Sequence, residues 1–370
     1  MTVANFKAVE SELNQRYLDR TEEIHGLTLA VLSRQHIELL GPPGNAKTML
    51  IKDFADYLDV GNDFFSWLMT KFSTPEELFG PVSIAAMKAG SYTRITTHKM
   101  PEAKVAYLDE IFKASSPILN ALLSILQERV YHNNGGATQC PLILCVASSN
   151  ELPDEDEGLG ALHDRFLLRY NPGYIADKTT FEQLLRLEQQ PKTVTSITEA
   201  EVQQDIAAVA QLKLSDEAVE SLTLVWEKIH EAGIAVSDRR FKQMIGVMAA
   251  ESWLMGATEI VADSVSVGEH IMWNTPDDII PVKQIIRSSV NPSMARAQEI
   301  LTAATAAMAD LAGDFIQSEE MLTVAKQLQF LAADLESLTQ SQAVVDIGCS
   351  IKKMRDGLVQ RMLSSQGGAD

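Results

Sequence analysis

The period of the apolar positions changes along this chain. In residues 4–33, Leu13, Tyr17 and Leu18, then Ile24, Leu27, Leu29 and Leu32, recur at helical spacing, with Thr21 marking a helix start. "HIELL" (36–40) is a short apolar run that ends at Gly41 and predicts a buried strand. "KTMLIKDFADYL" (47–58) sets Leu50, Ile51, Phe54 and Leu58 on one helical face. "DFFSWLM" (63–69), "KVAYLDEI" (104–111) and "PLILCVASSN" (141–150) predict further strands, and "LHDRFLLRY" (162–170) passes from a helix end into another. Between them, "SSPILNALLSILQERV" (115–130) predicts a helix, with Ser115 or Ser116 as N-cap and Pro117 in its first turn. "YHNNGGATQ" (131–139) predicts a hairpin turn. Residues 73–100, with a capped turn and the β-leaning "SYTRITTHKMP", predict an inserted hairpin. Strands alternating with helices imply a mainly parallel α/β sheet.

After Pro172 the pattern turns helical. It is interrupted at "QQPKT", "KLSDE", "GIAVSD" and "NTPDD" up to about residue 287. From Asn291-Pro292 onward no proline follows. Leu301, Met308, Leu311, Leu322, Leu328, Leu331, Leu335, Leu338, Val344, Ile347, Ile351, Met354, Leu358 and Met362 recur at helical spacing, predicting two or three long antiparallel helices before a frayed "SSQGGAD" tail. The expected division is an α/β domain over 1–173, a helical domain over 174–287 and a C-terminal helical region over 288–370.

Composition narrows the partners more than the fold. Of 370 residues, 46% are hydrophobic and 22% charged, an ordinary globular balance. The net charge of −19 argues against general affinity for nucleic acid or anionic membranes, while leaving room for a local basic pore. Three cysteines (Cys140, Cys145, Cys349) fit no metal spacing and suit a reducing, cytoplasmic compartment. The N-terminus is too polar for a signal peptide, and no apolar run reaches the roughly 18 residues a membrane span needs.

The chemistry gathers at the strand ends. "LLGPPGNAKTML" nearly spells G-x-x-x-x-G-K-[ST], through Gly41, Pro42, Pro43, Gly44, Asn45, Ala46, Lys47 and Thr48, running into Met49. A tight turn into a helix aims backbone N–H groups at one point, where the dipole favours a phosphate. Lys47 would reach the β- and γ-phosphates and Thr48 would hold Mg²⁺. Ala46 stands where the pattern has glycine, and fits if its φ stays negative. In "VAYLDE", Asp109 suits the ion's shell and Glu110 an attacking water. Asn150 could hold that water, or serve as a turn cap. Arg165 could stabilise charge on a transferring phosphoryl group, or pair with Asp164; Arg129 shares the ambiguity. In "VSDRRFKQM", Ser237 or Asp238 caps a helix, placing Arg239 and Arg240 against its dipole, where a phosphate would be a fitting partner.

Together "GPPGNAKT", "FSTPEELFGPVSI", "MPEAKVAYLDEIFKASSPILNALLSILQERVY", "ASSNELP", "LHDRFLLR" and "VSDRRFK" resemble the AAA+ ATPases, specifically the MoxR branch and its RavA-type subgroup. The likeness covers about residues 15–275, and Ala46 matches the branch's own G-P-P-G-x-A-K. It implies an AAA+ P-loop parallel sheet with a helix-2 insert at 73–100, an all-helical lid and a C-terminal helical bundle. It further implies ATP with Mg²⁺ bound between the subunits of a homo-hexamer. The Walker A loop would be Gly41–Thr48, the Walker B acids Asp109 and Glu110, sensor 1 Asn150, the trans-acting arginine finger Arg165 and sensor 2 Arg239. The insert and the 130–138 hairpin would line the pore. Such proteins remodel protein partners in chaperone fashion, often beside a partner carrying a von Willebrand factor A domain. Beyond about residue 280 the likeness to RavA ends, since no β-rich module is visible. The alternative, a nucleic-acid motor, would want basic pore elements. The insert has Lys88, Arg94, His98 and Lys99, but the hairpin has no lysine or arginine. A nucleotide-locked structural ring is disfavoured because every catalytic position is filled.

Overall fold

Five short strands form one parallel sheet, four of them buried along nearly their whole length and one edge strand partly exposed. In the computed structural model, which describes residues 2–152, 160–187, 192–194, 196–290, 292–309, 311, 318–336 and 342–366, they are β1 (Ile37–Leu40), β2 (Phe64–Leu68), β3 (Val105–Asp109), β6 (Leu144–Ser149) and β7 (Leu168–Tyr170). Their order is β2-β3-β6-β1-β7, every neighbouring pair parallel. Register aligns Leu40 with Ser149 and Leu68 with Asp109. The carboxyl ends of β1, β3 and β6 therefore emerge side by side on one edge, where ligands of open α/β sheets bind.

Helices cover the sheet: α1 (Thr2–Arg16), α2 (Thr21–Ser33), α3 (Lys47–Tyr57), and α6 (Ser116–Glu128), with Ser115 at its N-cap position, without a side-chain cap bond, and Pro117 in its first turn. Leu108, Ile111, Ile118, Leu122 and Cys145 share one buried cluster beneath α6. The 73–100 segment is not the expected hairpin. It folds as two single-turn helices, α4 (Pro75–Phe79) and α5 (Ile84–Lys88), with one antiparallel bridge from Val82 to Arg94. A capping box between Thr74 and Glu77 starts α4, and Leu78 and Phe79 enter the core. The polar β-leaning residues around Arg94 find their partner elsewhere. Asn133 accepts from the Arg94 N–H (2.8 Å) and donates to its carbonyl (3.0 Å), joining the insert to the hairpin of β4 (Val130–Asn133) and β5 (Gly136–Gln139).

α7 (Gly160–His163) and β7 close the α/β part, and α8 (Lys178–Leu185) follows. The helical segment holds α9 (Glu199–Val209), α10 (Asp216–Glu231), α11 (Asp238–Leu254), a 3₁₀ stretch (Ala262–His270) and α12 (Ile279–Val290). Its entry is strapped to the phosphate-loop helix. Glu12 of α1 accepts from Arg16, Tyr57, Thr193 and Val194, and the Ile197 N–H donates to the Tyr57 carbonyl at 2.6 Å. Burial alone would raise the Glu12 pKa; the hydrogen bonds from Tyr57, Thr193 and Val194 outweigh it and bring it down to about 2.

The chain falls into two compact units, residues 1–283 and 284–370, dividing within α12. In the second, α13 (Pro292–Ala309), α14 (Ser318–Glu336) and α15 (Gln342–Gln366) pack about Ile300, Ala304, Leu328, Leu335, Ile351 and Leu358. Leu322, counted in the periodic set, is exposed. Asn291, Leu338, residues 189–191 of "QQPKT", Pro153 of "ASSNELP" and the last four residues of the tail lie outside the described residues.

Candidate functional site

The chain must turn sharply between β1 and α3, and two glycines permit it. The Gly41 N–H donates to the Ser149 carbonyl at 2.9 Å, and a Cβ at this position would lie 2.6 Å from the Pro172 carbonyl. Gly44 has φ 81°. Ala46 does not keep the negative φ expected of it. At φ 63°, ψ 17° it is the left-handed N-cap of α3, so the loop needs the glycine-type conformation even where glycine is missing. The back of the loop is tied to the segment after β7: Asn45 donates to the Pro172 carbonyl (3.0 Å) and the Tyr174 hydroxyl to the Pro43 carbonyl (3.0 Å).

Pro43 through Met49, with Tyr107, Asp109, Glu110 and Asn150, line one cleft of about 250 Å³. Gly41 and Pro42 form its root, their carbonyls accepting from Lys47 Nζ at 2.5 and 3.3 Å. Burial lowers the Lys47 pKa, partly offset by the nearby Asp109 and Glu110 carboxylates. Asp109 ends β3, its Oδ1 accepting from Ser148 Oγ (2.5 Å) and the Glu110 N–H (3.1 Å). Glu110 follows in the left-handed region (φ 54°), a strained position of the kind held at functional sites. Its two oxygens are separately engaged, Oε1 by Asn150 Nδ2 at 2.6 Å and Oε2 by Lys113 Nζ at 3.2 Å.

The donor set suits Mg²⁺ carried by a nucleotide. One threonine and two carboxylates, one of them engaged by Asn150 and Lys113, are too few to cage the ion alone, which matches an ion sharing phosphate oxygens and waters. Thr48 and Asp109 would hold it.

Two predicted residues stand apart. Arg165 and Arg239 do not line this cleft. They line a second one of about 250 Å³, with Arg34, His36, Arg129 and Gln243. Arg165 Nη1 makes a long ion pair with Asp164 Oδ2 at 3.9 Å, the alternative its sequence offered, while Asp164 Oδ1 accepts from Arg240 at 3.1 Å. Burial, then the like charge of Arg239, lowers the Arg165 pKa. Arg240, paired with Asp164 and Asn274, has a structural partner inside the fold. Arg129, the left-handed C-cap of α6, is spent on the carbonyls of Leu126 and Arg34. It presses on His36, whose Nδ1 accepts from the Cys145 N–H. Burial and then Arg129 push the His36 pKa well below its ordinary value, so the ring is neutral. Sequence reasoning missed Tyr107, Ser148, Lys113 and Arg34. A hydroxyl within the otherwise apolar "VAYL" was the available signal for Tyr107.

Residues 4–213 match the family model of the MoxR domain in the MoxR-vWA-beta-propeller ternary systems, and residues 217–286 match an AAA lid domain. Two uncharacterized proteins of Methanocaldococcus jannaschii are 37% identical over 286 residues (76% of this chain, 74% of theirs) and 36% over 277 (74% and 73%). The chaperone MoxR1 of Mycobacterium tuberculosis is 28% identical over 193 residues, half of each chain. A crystal structure from Cytophaga hutchinsonii, described as a candidate ATPase, shares the fold with TM-score 0.61 at 18% identity, over 78% of this chain and 94% of its own. With a phosphate loop, strand-end acids and a helical lid in the order this family requires, the chain belongs to the MoxR family of AAA+ ATPases.

Proposed function

We propose that this protein hydrolyses ATP with Mg²⁺ as a homo-hexameric ring and uses the energy to remodel or activate a protein partner. The observation that carries the chemistry is Asn150 holding Glu110 at 2.6 Å beside the phosphate loop. In this reading the loop amides and Lys47 bind the β- and γ-phosphates. Thr48 and Asp109 would hold Mg²⁺, which when bound would supply charge neutralisation at the transferring group. Glu110 takes the proton of the attacking water, and Asn150 orients both. Arg165 reaches the γ-phosphate of a neighbouring copy as the arginine finger and Arg239 serves as the sensor 2 arginine of the lid, a reading supported by the pocket they share apart from their own cleft. The nucleotide domain would occupy 1–173, the lid 174–287 and the C-terminal region 288–370.

A von Willebrand factor A domain protein is the partner we favour, because the matched MoxR model is drawn from systems that contain one. The RavA-type subgroup is not carried further, as the described C-terminal residues are helical. We place the protein in the cytoplasm on its free cysteines, two of them buried. Among the described residues no helix is long and apolar enough to cross a membrane. A nucleic-acid motor gains little from the insert, where Arg94 pairs with Glu76 (3.0 Å) and Lys99 donates to the Glu77 carbonyl (2.9 Å).

Glu110→Gln keeps the shape and the Asn150 contact but removes the base. Phosphate release is expected to fall by about 10²-fold or more with ATP still bound. Unchanged turnover would sink the assignment of Glu110.

A further inference from the structure

A chain of hydroxyls runs beneath the cleft from one candidate ion ligand to the other. Thr48 Oγ1 lies 3.3 Å from the Tyr107 hydroxyl, which lies 2.8 Å from Ser148 Oγ, which lies 2.5 Å from Asp109 Oδ1. Tyr107 and Ser148 are buried, whereas Thr48 opens to the cleft. The proton order along this chain has one solution. A carboxylate can only accept, so Ser148 donates to Asp109. The single Ser148 proton is then spent, so its oxygen accepts from Tyr107. The Tyr107 proton is spent in turn, so Tyr107 accepts from Thr48.

We propose that Tyr107 is a positioning residue for the ion that accompanies the nucleotide, drawing the Thr48 proton beneath the cleft so that a Thr48 lone pair faces it. This rests on the Mg²⁺-dependent ATP site proposed above and concerns how that site is preset. Without Tyr107 the Thr48 hydroxyl rotates freely, and its proton can point at the cation's place. The same relay fixes Asp109. Oδ1 is occupied by Ser148 and the Glu110 N–H, which leaves Oδ2 for the ion's shell. Partners behind metal ligands commonly act this way, orienting a ligand they do not replace.

Tyr107→Phe keeps the ring in its packing and deletes only the oxygen. The probe is a fluorescent ATP analogue, bound to the full chain in EDTA and then across a MgCl₂ titration. The Mg²⁺ midpoint for nucleotide binding is expected to rise about tenfold, with affinity in EDTA unchanged. Ser148→Ala should move it the same way, and Ser148→Thr, which retains the hydroxyl, should restore it. That pair carries the test should Tyr107→Phe fail to fold, which a thermal melt reveals. A Tyr107→Phe midpoint equal to the parent's overturns the proposal, as does equal loss of affinity with and without Mg²⁺. If the parent itself binds the analogue without regard to Mg²⁺, the ATP-site reading falls and takes this inference with it. A Mg²⁺-dependent parent beside an unshifted variant sinks this inference alone.

Discussion

Ala46 sits at φ 63°, where the Cβ of an L-residue crowds its own carbonyl oxygen. The conformation is imposed by the loop. Its carbonyl must accept from the Leu50 N–H (3.0 Å) while the preceding residues curve around the phosphate position. Glycine would adopt it without the steric cost. Ala46→Gly is therefore expected to stabilise the fold by about 1 kcal/mol, read as a higher urea midpoint with unchanged nucleotide affinity. A lowered midpoint would show that glycine's greater unfolded-state entropy dominates. Residue identity was enough to assemble Lys47, Thr48, Asp109, Glu110 and Asn150 into one hypothesis, because each follows a recognisable strand. It could not show that Ala46 is left-handed, since backbone angles depend on where β1 and α3 are held.

At the scale of elements, helices were easier to anticipate than their joints. The α3 and α6 faces follow from 3.6-residue spacing, which is local. The insert was misjudged because the β propensity of "SYTRITT" is a weak local preference, overridden when Asn133 of a distant hairpin took the Arg94 backbone groups. A second joint is invisible in sequence. His25 of α2 lies between Glu10 of α1 (3.1 Å) and Glu251 of α11 (2.7 Å). Burial would lower the imidazole's pKa, but the two carboxylates outweigh it and raise it to about 10. A raised folded-state value means the bridge's contribution is fully present below pH 6.5 and is lost as pH rises through about 10. His25→Gln should thus lower the urea midpoint below pH 6.5, and the gap to the parent should close above pH 10. A gap independent of pH would mean that packing, not charge, holds this joint.

At the scale of the molecule, each chain carries the cleft beside the loop after β1 and, separately, a pocket of arginines. Heterologous contacts that close into a ring would bring one copy's arginines to the next copy's cleft. Glu110→Gln and Arg165→Ala should each abolish hydrolysis alone. Co-expressed in equal amounts, they should recover up to about a quarter of parental activity, since random neighbours then pair an intact cleft with an intact arginine. No recovery in mixed assemblies would mean that Arg165 serves its own chain.

The sequence by itself determined the α/β alternation, the helical remainder, the MoxR resemblance and most of the side chains that line the cleft beside the loop after β1. All of these rest on spacing or on motifs whose members sit at strand ends. Only the tertiary structure decided the partners. It set Asp164 between Arg240 and a more distant Arg165, and put Arg165 in one pocket with Arg239. It spent Arg129 on carbonyls, and it ran the hydroxyl relay from Thr48 to Asp109 through Tyr107 and Ser148. Such pairings join residues far apart in the chain, and local periodicity holds no information on which donor reaches which acceptor.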